Sequence, residues 1–445
     1  MPAQLIKNAR IVSDSKVFSG DLLIENGLIA RVDRSISDSQ GVSVIEADGN
    51  YLLPGIIDDQ VHFREPGFTH KGDIYTESRA ALAGGVTSFM EMPNVFPQTV
   101  TNAILEEKYK LGSVKSAVNY SFYLGATNNN AEEIKSVNPR TVCGVKIFMG
   151  SSTGDMLVDN QKALASIFDV SPILIATHCE SEERVKQRFD AAFELFSGQI
   201  PANQHPIIRD AQACIMSSSS AIELAKKYDS RLHILHISSE IETHLFRNDI
   251  PLKDKRITAE VCVHYLHFTD NDYARLGNLI KCNPAIKTLE DQKGLWKALL
   301  DNRLDIIATD HAPHTLVEKQ KLYTQSPSGL PLVQHSLSLM MDYVVSGAMQ
   351  IETLVEKMCH NPAICFQVEK RGFIREGFAA DLVLLGKNST AVSRDTLLQK
   401  CAWSPFENHV FAYTPQKVWV NGILGWNGVL TGQYNPQRLV FDRKN

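Results

Sequence analysis

Five residues carry the chemistry this chain could perform: His62, Lys146, His178, His236 and Asp310. Each stands at or near the end of an apolar run. Imidazole nitrogens together with carboxylate oxygens suit Zn²⁺. A metal with an open position lowers the pKa of a water to roughly 7. A carboxylate such as Asp310 can then carry a proton from that water to a leaving nitrogen. Each residue also has a plainer reading. A lone histidine at a strand end is commonly a hydrogen-bonded structural residue, and His233, His267 and His360 are read that way. Lys146 can be a snorkelling or paired lysine, and Asp310 can cap a helix. What weakens these plainer readings is the joint placement of five metal-competent groups at the ends of five different strands.

The elements that must position them follow from periodicity. Eight apolar runs read as buried strands: Ile56–Val61, Val86–Met92, Val118–Leu124, Gly144–Met149, Ile173–Thr177, Arg231–His236, Arg256–Val261 and Leu304–Thr309. Helical patterns lie between most of them, as at Asp73–Ala83, Asn102–Lys110, Glu182–Phe196 and Arg209–Lys227. Eight strands with intervening helices predict an α/β fold, a TIM-type β/α barrel, whose polar residues collect where barrel active sites sit. A doubly wound open sheet is the alternative.

Outside residues 52–370 the texture is of short strands and turns. Leu5–Val12, Asp21–Ile24, Leu28–Val32 and Val44–Ala47 precede the barrel, with a hairpin turn at Glu25-Asn26-Gly27. Ala380–Leu385, Lys417–Val420 and Ile423–Trp426 follow it. The two ends, 1–51 and 371–445, are expected to build one small β-sandwich domain around the inserted barrel. With 44% apolar and 21% charged residues, the composition is that of a globular protein. The net charge of −5 gives no electrostatic case for nucleic acid. No apolar run is long enough to span a bilayer. The eight cysteines form no Cys-x-x-Cys pair and are expected to be reduced, mostly core residues. The N-terminus shows no signal-peptide core, and a cytoplasmic location is expected.

The densest segment is Pro54-Gly55-Ile56-Ile57-Asp58-Asp59-Gln60-Val61-His62-Phe63-Arg64-Glu65-Pro66-Gly67. It resembles the first-strand signature of the cyclic amidohydrolases, and its Arg-Glu-Pro-Gly ending resembles the dihydroorotases. The resemblance extends along nearly the whole chain, through Lys7-Asn8-Ala9, His70-Lys71-Gly72-Asp73, Ala83-Gly84-Gly85-Val86-Thr87, Asn361-Pro362-Ala363 and Ala380-Asp381-Leu382. In that family the signature carries two histidines separated by one residue; here the first is Gln60. A glutamine amide oxygen is a poor zinc ligand compared with imidazole.

The resemblance implies roles. His62 matches the second histidine of the pair, Lys146 the lysine that is carboxylated to a metal-bridging carbamate, and His178 and His236 the ligands of the second metal. Asp310 matches the aspartate that binds metal and shuttles the proton. One or two zinc ions per chain are implied, the position at His62 and Asp310 being weakened by Gln60. Arg64 offers a planar fork for a carboxylate. Asn94 and His314 join it, and Asn283 faces the ring, although either asparagine, each beside a proline, can equally set a turn. Ser328-Gly329 resembles a loop pairing with the ring amide. The implied reaction is reversible hydrolysis of dihydroorotate to N-carbamoyl-L-aspartate in pyrimidine synthesis, by a small-molecule enzyme for which a homodimer is expected. Two alternatives remain. One is an allantoinase or hydantoinase, whose uncharged substrates need no clamp like Arg64. The other is a non-catalytic relative with a degraded metal site, against which stand the five other intact positions.

Overall fold

The computed structural model describes residues 3–37, 41–150 and 156–443. All eight expected barrel strands form: Ile56–Val61, Val86–Glu91, Asn119–Phe122, Val145–Met149, Ile175–Cys179, Leu232–Ile234, Ile257–Cys262 and Ile306–Ala308. They run parallel to their neighbours in sequence order, the third reaching the fourth through the short continuation Leu124–Gly125. The first and last close the ring, because Val61 bridges His311 and the His62 N–H donates to the His311 carbonyl at 2.7 Å. The strands are buried on both faces, which is why they read as continuous apolar runs.

Helix starts follow local side-chain chemistry. Asp73 caps Ile74–Ala83 by accepting from the Thr76 N–H, and Thr76 returns the bond in a capping box. Asp210 caps Ala211–Tyr228, which ends at Asp229 in the left-handed region (φ 50°). Such helices cover the barrel between strands and hold its ends in register.

The two chain ends share one sheet. Its order is Ile423–Asn427, Tyr413–Val420, Leu382–Lys387, Tyr51–Pro54, Gln4–Ser13, Lys16–Glu25 and Leu28–Asp33, with Ser43–Glu46 also paired to Gln4–Ser13. Tyr51–Pro54 joins this sheet and leads directly into the first barrel strand at Ile56. The last residues return to the barrel: the Leu439 N–H donates to the Tyr120 carbonyl, and Leu439 and Phe441 pack with Ile57, Met90 and Leu174. Burying these two apolar side chains against the barrel favours that excursion over staying with the sheet. Among the described residues no helix is long and apolar enough to cross a membrane.

Candidate active site

Gln60, His62, Arg64, Asn94, Lys146, His178, His236, Asn283, Asp310 and His314 line one cavity of about 700 Å³, together with Ser328 and Gly329. The first, second, fourth, fifth, sixth and eighth barrel strands deliver most of them; the loops after the seventh and eighth strands deliver the rest. Arg64 (φ 70°), His236 (φ 42°) and Asp310 (φ 48°) sit in the left-handed backbone region. Non-glycine residues held there cost of order 1–3 kcal/mol each and persist where the surroundings over-determine them. Gly329 (φ 143°) is required at the wall, since a Cβ would lie 2.4 Å from the Ala312 carbonyl oxygen.

One half of the site is built on Asp310. Its Oδ1 lies 3.1 Å from His62 Nε2 and accepts from Gln60 Nε2 at 3.2 Å. His62 Nδ1 is 2.8 Å from Asn94 Oδ1. Nδ1–H donating to Asn94 fixes the ring, and Nε2 is held against Asp310. Asn94, expected on the substrate, orients His62 through its Oδ1, and its Nδ2 makes no other hydrogen bond among the described residues. Burial acts to raise the Asp310 pKa, but His62 and then His264 and Lys146 outweigh it and hold the carboxylate ionised.

The other half is a pair of imidazoles. His178 Nδ1 and His236 Nε2 face each other at 3.0 Å, and His236 Nδ1 is buried with no partner. His178 Nε2 lies 3.0 Å from Glu180 Oε2, which also pairs with Arg209. Burial would raise the Glu180 pKa, yet Arg209 and His178 bring it down to about 2. An ionised Glu180 fixes Nε2–H on His178 and leaves Nδ1 as a donor atom. Sequence reading missed Glu180 and Arg209; the His178-x-Glu180 spacing at a strand end was the available signal.

Lys146 lies between the halves on the fourth strand. It is 1% exposed and has no hydrogen bond or ion pair among the described residues. Burial lowers its pKa to about 7, only partly offset by Asp310 and Glu260. The snorkelling and paired readings therefore do not describe it. A buried, half-neutral amine is the form that can combine with CO₂, and the carbamate formed would be anionic. The unpartnered His236 nitrogen, the facing imidazoles and this amine fit a metal site whose donors are nitrogen and carboxylate oxygen.

The far wall is cationic. Arg64 donates from Nε to the Pro313 carbonyl at 3.1 Å and places Nη2 3.0 Å from His314 Nε2. His314 Nδ1 faces Lys71 Nζ at 3.0 Å, while Nε2 also faces the Ser328 carbonyl at 3.0 Å. Burial, then Arg64 and Lys71, keep this imidazole neutral, well below its usual range. A neutral ring that accepts from Lys71 donates at Nε2 to the Ser328 carbonyl, so Arg64 Nη2 meets an N–H rather than an acceptor. An anionic oxygen within its reach would satisfy it. Of the cavity's charged residues six are Lys or Arg (Arg64, Lys71, Lys146, Lys186, Arg209, Lys281) and two are acidic (Glu182, Asp310). Lys71, Arg209 and Lys281 were not singled out from sequence. Asn283 contributes an Oδ1 with no partner.

A separate cluster lies inside the barrel and does not line the cavity. Asp59, His233 and Glu260 place ligand atoms within 4.8 Å of one another. Burial disfavours the His233 cation, but Asp59 and Glu260 raise its pKa to about 9. Glu260 also accepts the His236 N–H at 3.0 Å. His233 is thus a buried, paired structural residue that ties the barrel interior to the strand carrying His236.

Residues 51–424 match the model of the amidohydrolase family. The chain belongs to the amidohydrolase family. A dihydroorotase of Methanosarcina acetivorans is 33% identical over 420 residues, covering 92% of this chain and 88% of its own. An allantoinase of Bacillus velezensis is 28% identical, covering 92% of this chain and 90% of its own. Among solved structures, the L-hydantoinase (dihydropyrimidinase) of Arthrobacter aurescens superposes with a TM-score of 0.92 at 25% identity, over 99% of this chain and all of that one. The fold is therefore the β/α barrel with an accompanying β-sandwich, and the chain is a hydrolase of cyclic amide bonds.

Proposed function

We propose that this chain is a zinc-dependent dihydroorotase that hydrolyses (S)-dihydroorotate reversibly to N-carbamoyl-L-aspartate in pyrimidine (UMP) biosynthesis. The observation that carries this reading is the placement of Arg64 and His314 in the same cavity as Lys146, His178, His236 and Asp310. The ring carries a carboxylate, and Arg64 Nη2, which faces the His314 N–H, is a cationic donor suited to it.

His62, Lys146, His178, His236 and Asp310 would hold the metal, Lys146 as a carbamate bridging two positions, with Gln60 beside the first. When bound, zinc supplies Lewis acidity, making hydroxide available near neutral pH and polarising the scissile carbonyl. The chain's own residues do the rest. Arg64 and His314 grip the substrate carboxylate, and Asn94 Nδ2 is free to join them. Asn283 and the Ser328-Gly329 backbone meet the ring amide. Asp310, held ionised, takes the proton of the attacking water and delivers it to the departing ring nitrogen. Orienting the ring in this way removes most of the entropic part of the barrier.

The allantoinase and hydantoinase reading fits less well, because an uncharged ring leaves the buried Arg64 charge with only the Pro313 carbonyl and no anionic partner for Nη2. A non-catalytic role would not require the retained donors to converge on one cavity. Assaying purified, zinc-supplied protein with dihydroorotate and with allantoin tests the proposal. Ring opening of dihydroorotate is expected; turnover of allantoin alone overturns it.

A further inference from the structure

We propose that the end of the barrel opposite the catalytic cavity carries a binding site for a small phosphate-bearing anion, built on Arg231 and Arg443 with Arg140 beside them. The three arginines line another cavity of about 700 Å³, which shares no lining residue with the catalytic one. Its wall includes Ile173 and Leu174, just before the fifth barrel strand, and Arg231 stands just before the sixth. These are N-terminal strand ends, whereas barrel active sites sit at the C-terminal ends.

The charges exceed what packing requires. Arg443 is 8% exposed and donates to the Val142, Cys143 and Phe366 carbonyls at 2.7–2.8 Å. Its Nε is buried with no partner. Arg231 donates to the Cys365 carbonyl and to Gln367 Oε1. Neither arginine forms an ion pair with a carboxylate among the described residues. Carbonyl and amide oxygens satisfy N–H groups but leave the positive charge in place, and a buried charge is costly unless paired. The two charges also oppose each other: burial, and then Arg231, bring the Arg443 pKa down to about 10. Arg140 differs in having an acidic partner, Glu369, at 3.0 Å. Asp442, also at the wall, is exposed and forms no ion pair among the described residues.

A phosphate group answers this deficit. It carries a charge of about −1.5 to −2 at pH 7 on three acceptor oxygens, and guanidinium forks bind it in bidentate fashion. The cavity falls within the range of about 300–1,000 Å³ usual for small-molecule sites, so an organic group can accompany the phosphate.

Calorimetric titration of the whole, zinc-loaded chain with inorganic phosphate and with ribose 5-phosphate, at constant ionic strength, tests the site. Binding is expected in the wild type. It should weaken at least about tenfold in Arg231→Met and in Arg140→Gln, and stay unchanged in Arg64→Met, which removes a cation of the catalytic cavity. Arg140 is half-exposed, so its variant decides the matter where Arg231→Met does not fold. Tighter binding of ribose 5-phosphate than of phosphate assigns the site to an ester; equal or weaker binding assigns it to the free ion. No binding of either in the wild type overturns the proposal. Binding kept in Arg231→Met and Arg140→Gln, or lost only in Arg64→Met, overturns it equally.

Discussion

His178 Nδ1 and His236 Nε2 stand 3.0 Å apart with no proton donor or acceptor between them other than each other. Glu180 fixes the first ring from behind, and Glu260 fixes the backbone of the second. The pair is held in place before any ligand arrives, which is what a preorganised metal position needs.

That arrangement makes Glu180 a positioning residue. Glu180→Gln keeps the shape but removes the charge that holds Nε2–H on His178. Metal affinity should fall about 10–100-fold, measured by elemental analysis after dialysis against graded chelator. Unchanged retention would show that His178 does not bind metal through Nδ1.

The amide of Gln60 occupies the side of Asp310 where a second imidazole could stand. Gln60→His is expected to raise the metal content per purified chain. Two tight zinc ions per wild-type chain would refute the idea that Gln60 weakens this position.

Arg64 Nη2 faces His314 Nε2 at 3.0 Å. A charge-assisted hydrogen bond to a buried group is worth roughly 1.5–3 kcal/mol, so Arg64→Met should lower kcat/KM for dihydroorotate by about 10–150-fold, mostly through KM. Metal content should stay at the wild-type value. A loss confined to kcat would move Arg64 from substrate binding to chemistry.

Lys146 gives a pH signature. Burial drops its pKa from 10.5 to about 7, so between these values the unfolded chain binds more protons than the folded one. Stability of the metal-free protein therefore rises with pH across that window, and the cost of the buried ammonium is fully present below about pH 7. Lys146→Met should be more stable than metal-free wild type at pH 7, by a few kcal/mol as an order of magnitude, and the gap should close toward pH 10. Denaturant melts at the two pH values measure it; a pH-independent gap would contradict the account.

Much of this was legible in the sequence, for a physical reason. A parallel barrel turns all strand ends to one side, so His62, Lys146, His178, His236 and Asp310 could be placed together without coordinates. That the two chain ends share one sheet likewise follows from their common texture, although Tyr51–Pro54, whose last three residues were read with the barrel, belongs to that sheet. Supporting contacts were not legible, because they depend on side chains reaching across elements. Arg209 meets Glu180 from the loop before Ala211–Tyr228, and Asn94 turns to His62. The same holds for Asp59, whose partner His233 lies on the sixth strand.

The central claim is that the cavity opens a cyclic amide bearing a carboxylate. The most direct measurement compares kcat/KM for dihydroorotate with that for dihydrouracil, the same ring without the carboxylate, on zinc-supplied wild-type protein. A site built to hydrogen-bond a group rejects analogues lacking it by about 10²–10⁴-fold or more, and a preference of that size for dihydroorotate is expected. Equal or faster opening of dihydrouracil would contradict it.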